Sequence, residues 1–268
     1  MSRNGPLALV FHTLFVLFMV APIAVVCLVA FTPEGFLSLP THGFSLRWFQ
    51  AIARYPEFIR AFITSLWLGA LSSLITLLFA VPAALAIARS RFPGRDALSA
   101  LFLSPLMIPH VVLGIAFLRF FTQIGWSGSY PALVTAHVVL VFPFALRLTL
   151  AAAAGADRSV EMAAISLGAE SWTLFRRVVL PLILPGVVSG WALAFMQSFD
   201  EVTMTVFLAA PGVETLPVRM FLYVQDNIDP LVTSVSACVI AVTLVALVLL
   251  DRVYGLERVL TGHTDSAG

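Results

Sequence analysis

The sequence contains no lysine; all 15 basic residues are arginine. That absence excludes a P-loop nucleotide site, whose lysine reaches the β- and γ-phosphates, and Schiff-base chemistry, which needs a lysine amine. If ATP drives this chain, the nucleotide sits on another polypeptide. Charge of either sign is scarce, at 11% of residues, where soluble domains carry about 25%. The net charge is +1 and the arginines form no basic stripe, so nucleic acid is not an expected partner. The two cysteines, Cys27 and Cys238, both lie inside apolar runs and read as small hydrophobes rather than a disulfide. No nucleophile, base and acid can be assembled into one set, which argues against an enzyme.

What the chain has in abundance is apolar residue, 60% of the total, with a mean hydropathy of +1.01. It gathers in six blocks, at about 7–31, 59–88, 97–121, 130–150, 179–208 and 230–251, each long enough to cross a bilayer core. A backbone in lipid must satisfy its own hydrogen bonds, so the blocks are expected to be helices and the fold all-α. Pro22, Pro82, Pro105, Pro109, Pro143 and Pro185 fall inside them and are expected to kink them. The length fits a single membrane domain, residues 1–268. The first block is too long for the apolar core of a signal peptide and no Ala-x-Ala pattern follows it, so it is read as a span. No repeat or low-complexity tract is visible, and the polar tail from Gly262 to Gly268 is read as disordered.

Arginine placement gives the orientation. Arg3, Arg89, Arg91, Arg95, Arg147, Arg158, Arg176, Arg177, Arg252 and Arg258 fall on one side, and Arg47, Arg54, Arg60, Arg119 and Arg219 on the other. The richer side is the cytoplasmic one, which places both termini there.

The segment from Ala156 to Val178, between the fourth and fifth blocks, is too apolar for a linker and too charged for lipid. Asp157 or Ser159 can cap a short helix through about Leu167, and Gly168 supplies a left-handed residue to end it. A second helix is expected from Ser171, as its cap, to Val178, reaching the membrane at Pro181. Leu167, Trp172, Leu174 and Phe175 give this knuckle apolar surface. On physics alone it either lies on the membrane or docks a cytoplasmic partner.

The same stretch resembles the EAA loop of type I ABC importer permeases, on Met162-Ala163-Ala164, Gly168 and Leu180-Pro181. The resemblance runs from about residue 60 to 253, and implies a permease core over that range with a coupling loop at about 156–178. It implies that the loop fits a cleft on an ATPase subunit, with Glu161, Met162, Ala163, Ala164, Gly168, Trp172 and Phe175 as coupling residues. One departure stands out: the Glu of the pattern aligns with Met162, and Glu161 is one residue early, about 100° around a helix.

The fifth block carries Asp200 and Glu201. Ionisable residues inside a membrane are expensive, so they are expected to face a cavity or a partner. As neighbours on a helix they would point about 100° apart, one to the pathway and one elsewhere. Ser198-Phe199-Asp200-Glu201-Val202, with Thr215-Leu216-Pro217-Val218, resembles the permeases of spermidine/putrescine importers. That likeness implies a cationic solute met by Asp200 and Glu201, with Phe199, Trp191 and Tyr223 as aromatic faces and Glu214, Asp226 and Asp229 as an outer rim. His110 and His137 have no carboxylate or cysteine at ligand spacing and are read as packing residues. Ser65, Ser72 and Ser73 are read as small residues that let helices approach.

Together the resemblances imply one permease subunit of an importer in a bacterial inner membrane. Its partners would be a cytoplasmic ATP-binding dimer that holds ATP and magnesium, a second permease of different sequence, and a periplasmic solute-binding protein; no cofactor is expected on this chain. Two readings remain open beside it. One is the same importer class for another small solute, such as an amino-acid derivative, opine or phosphonate. The other is an ion-coupled secondary transporter, which would need an inverted repeat.

Overall fold

A chain this apolar hides its backbone polar groups in helices, and the computed structural model, which describes residues 5–39 and 41–254, is built of them. Arg3, Arg258 and the 262–268 tail lie outside the described residues. In order come α1 (Pro6–Val29), α2 (Arg47–Ile52), α3 (Pro56–Arg89), α4 (Arg95–Leu103), a 3₁₀ turn (Ser104–Leu106) and α5 (His110–Gln123). Then follow α6 (Tyr130–Gly155), α7 (Arg158–Ser166), α8 (Ser171–Leu174), a π-helical turn (Phe175–Val179), α9 (Leu180–Phe199), α10 (Thr205–Leu208), α11 (Leu216–Asp226) and α12 (Leu231–Tyr254). No strand occurs among the described residues.

Four stretches are long and apolar enough to cross a membrane: Leu7–Val29, Pro56–Arg89, Tyr130–Gly155 and Ser171–Phe199. A shorter apolar helical stretch covers Leu231–Ala246, and the third block forms a bent pair. That block is not one kinked helix. Arg95–Leu106 and His110–Gln123 meet at 97°, because Pro105 and Pro109 remove donors and Pro109 holds the preceding residue out of helical geometry.

The fifth block is also corrected. Its helix begins at Ser171, eight residues before the expected start, and stops at Phe199, so Asp200 and Glu201 lie past its end. The knuckle's second helix therefore runs unbroken into the membrane. The π turn sits where Pro181, with no N–H of its own, would otherwise press its ring on the carbonyl of Arg177.

The described residues divide into two compact units. One takes the chain up to Ile59 together with Met220–Val253. Within it, Phe31 stacks on Phe44 (4.7 Å) and meets Phe49 at a tilt (4.9 Å), and the indole of Trp48 donates to the carbonyl of Glu34 (3.0 Å). No residue in the apolar window of α1 is buried.

The other unit is Arg60–Arg219. Its core is built on Leu68, Ala136, Leu140, Val141, Leu146, Ala194 and Met204. Here α6 packs on α9 at a Gly-x-x-x-Gly pair, the close approach that small residues permit between membrane helices. A Cβ at Gly186 would lie 2.3 Å from that of Ala152, and one at Gly190 3.1 Å from the carbonyl of Ala145.

Candidate functional site

The knuckle is built from its ends inward. Asp157 caps α7, its carboxylate accepting the Ser159 N–H at 2.8 Å. That bond holds the exposed carboxyl below the usual aspartate range. At the other end Gly168 has φ +82°. Its N–H reaches the carbonyl of Ile165 (2.9 Å), and that of Ala169 reaches Ala164 (3.0 Å). These two bonds are a Schellman motif, which fixes the turn between α7 and α8. Ser171 is the first helical residue of α8 rather than its cap; Glu170 holds the cap position without a side-chain bond.

One ion pair and one hydrogen bond seat this helix pair on the end of α3. Arg89 pairs with Glu161, which is buried, and Arg158 donates to the carbonyl of Arg89 at 2.9 Å. Glu161 is thus turned into the protein, with its carboxylate held by Arg89. The outward surface is apolar instead. Met162, Leu167 and Trp172 are 61%, 88% and 68% exposed, with Ala163 exposed between them and Ala164 half-buried. Phe175 is half-buried with its ring 5.7 Å from that of Trp172. A rigid, exposed apolar patch of this kind marks an interaction surface.

A second constellation lies where α9 stops. Asp200 is exposed at the C-cap of α9, whereas Glu201 is buried. The Glu201 carboxylate accepts the N–H of Met204 (2.9 Å), the N–H of Thr205 (2.8 Å) and the hydroxyl of Thr205 (2.7 Å). Nδ1 of His110 lies 3.2 Å from it. Glu201 therefore caps the first turn that follows α9. The two acids are divided by the end of the helix, not by helical phase.

His137 continues the network. Its Nε2 is 3.0 Å from the Thr205 hydroxyl oxygen and its Nδ1 is 2.7 Å from that of Ser198. Because Thr205 gives its one proton to Glu201, Nε2 of His137 donates to the Thr205 oxygen. The carboxylate beside His110 has no local signal in the sequence, since Glu201 lies 91 positions away.

The other expected pathway residues divide between the two units, Trp191 and Phe199 in one and Tyr223 in the other. Phe199 is half-buried, its ring 6.1 Å from those of Phe62 and Phe195, and Trp191 is 37% exposed. Tyr223 is buried among Tyr55 and Phe58, and its hydroxyl donates to Asp229 (2.7 Å). Burial first, and then that bond, push its hydroxyl above the usual tyrosine range. Ser65 accepts the N–H of Leu216 at 2.8 Å, so it is a hydrogen-bonding group as well as a small one.

Interrupted apolar helices around a buried polar network, with a capped helix pair at one end, define a multi-pass membrane transport subunit. The fold is that of type I ABC importer permeases. It superposes with a TM-score of 0.72 on a chain of a bacterial ABC transporter involved in the import of the acidic polysaccharide alginate, at 15% identity over 95% of this chain and 99% of that one. Residues 77–256 match the family described as binding-protein-dependent transport system inner membrane component, and the chain belongs to that family. Its relatives include the spermidine/putrescine transport system permease protein PotC of Haemophilus influenzae, 30% identical over 92% of this chain and 94% of that protein. They also include a putative 2-aminoethylphosphonate transport system permease protein, PhnV, of Salmonella paratyphi A, 32% identical over 90% of this chain and 91% of that one.

Proposed function

We infer that the chain is the membrane-spanning subunit of an ATP-driven importer that moves a polyamine, such as spermidine or putrescine, from periplasm to cytoplasm by alternating access. The observation that carries this reading is the knuckle: a helix pair locked by a Schellman turn, seated on α3 by Arg89 and Glu161, with Met162, Leu167 and Trp172 facing out. A chain without lysine takes its ATP-driven force from a partner, and this surface is where a cytoplasmic ATPase dimer, with its ATP and magnesium, would push. The arginine excess supports a cytoplasmic knuckle and cytoplasmic termini. A second permease of different sequence and a periplasmic binding protein complete the assembly.

The likeness to PotC supports the cargo, and Asp200 suits it. An exposed carboxylate at the end of α9 can replace water around an ammonium group, while Trp191 and Phe199 offer aromatic faces nearby in sequence. Glu201 is already held by Met204, Thr205 and His110, so the exposed Asp200 is the carboxylate that a solute would meet first. The PhnV likeness favours a second reading, 2-aminoethylphosphonate as cargo.

The coupling test is Gly168→Pro in the assembled complex. Proline cannot adopt φ +82°, so solute-stimulated ATP hydrolysis is expected to vanish while the complex still assembles. Undiminished coupling would refute the docking role. Uptake of labelled spermidine against labelled 2-aminoethylphosphonate in proteoliposomes decides the cargo.

A further inference from the structure

Neither the coupling nor the solute role uses the hook between α3 and α4. Residues 91–97 curl around a cavity of about 400 Å³ lined by Arg91, Arg95 and Asp96. Neither guanidinium has an ion pair among the described residues, and one aspartate leaves the hook net positive.

Six or seven residues further along α4, about 10 Å at the helical rise, lies a groove of about 410 Å³ with an almost wholly apolar wall. Leu101 and Phe102 form one side, with Phe79 and Ala83 of α3 and Val139 and Phe142 of α6 forming the other. The rings of Phe102 and Phe142 meet edge to face at 5.1 Å.

We propose that α4 carries a binding site for an anionic glycerophospholipid, its headgroup between Arg91 and Arg95 and one acyl chain in the groove. The ligand must satisfy both ends of one short helix. A soluble anion would neutralise the hook and leave the apolar wall bare. An apolar partner helix would cover the wall and leave two charges unmatched. A zwitterionic lipid brings no net charge to a positive hook. Only an amphiphile with a negative head does both, and basic pockets beside membrane helices recognise such heads.

The site also has a consequence for the knuckle. Arg89, two positions before Arg91, holds Glu161 and lends its carbonyl to Arg158. A lipid bound at the hook therefore sits beside the knuckle's anchor.

The test uses the intact complex in nanodiscs of phosphatidylcholine doped with phosphatidylglycerol, with retained lipid read by native mass spectrometry. Wild type is expected to retain phosphatidylglycerol over phosphatidylcholine. Arg91→Gln with Arg95→Gln should lower that retention about 10-fold or more, at an unchanged elution volume. Leu101→Asp, at an exposed groove position, should lower it as well. Equal retention of the two lipids, or no loss in the double arginine variant, overturns the site. So does efficient cross-linking of Leu101→Cys to the second permease, which would show protein in the groove. None of these readouts depends on which solute is carried.

Discussion

Nδ1 of His110 lies 3.2 Å from the carboxylate of Glu201, joining two places where a membrane helix is interrupted. His110 opens α5 just after the proline break, and Glu201 follows the end of α9. The carboxylate is almost fully buried, with a side-chain exposure of 4%, and survives there because four donors surround it.

Glu201→Gln is expected to lower stability by roughly 2–4 kcal/mol, because an amide NH₂ would face donors that need an acceptor. Thermal unfolding of the purified chain in detergent checks this. Asp200→Asn, at an exposed position, should leave the unfolding temperature within error and reduce spermidine uptake instead. Equal stability losses in both variants would erase the distinction drawn between the two acids.

Arg89 and Glu161 form a pair with little exposure, 20% and 11% for their side chains. Their alanine variants should be non-additive, with an interaction energy of about 1–3 kcal/mol in a double-mutant cycle. Purely additive losses would mean that the knuckle is seated by something else.

Gly186→Val is expected to prevent close packing of α6 on α9, costing about 3 kcal/mol or more, since its Cβ would meet Ala152 at 2.3 Å. Gly155→Ala, with nothing within 4 Å, should change stability by about 1 kcal/mol or less. Folded yield after detergent extraction distinguishes them.

The Asp157 cap carries a pH signature. Its pKa is depressed by the Ser159 N–H bond, so the ionised cap stabilises the folded knuckle above the ordinary value of 3.8 and is lost only as pH falls through the lower folded-state value. Hydrogen exchange at Ser159 should therefore stay slow down to about that ordinary value. Asp157→Asn should keep protection without that acid loss, and Asp157→Ala should lose it at every pH.

Much of the knuckle was legible in the primary sequence. Asp157 before an amphipathic run and Gly168 after it are local signals, read through capping and left-handed geometry that need no tertiary partner. The inward turn of Glu161 was not legible, because its direction depends on Arg89, 72 positions away. The third span's break was visible as two prolines, though not its 97° angle. The end of α9 was missed outright, since no proline or glycine marks it and a side chain two residues beyond supplies the competing cap.

Composition alone settled that this chain lives in a membrane, that it is helical and that it holds no P-loop, since each follows from transfer free energy or from the absence of a residue type. Which carboxylate is exposed and which is consumed inside was settled only in three dimensions. A desolvated charge must collect its donors from wherever the packing brings them, and Met204, Thr205 and His110 come together around Glu201 only once α5, α9 and α10 are in place.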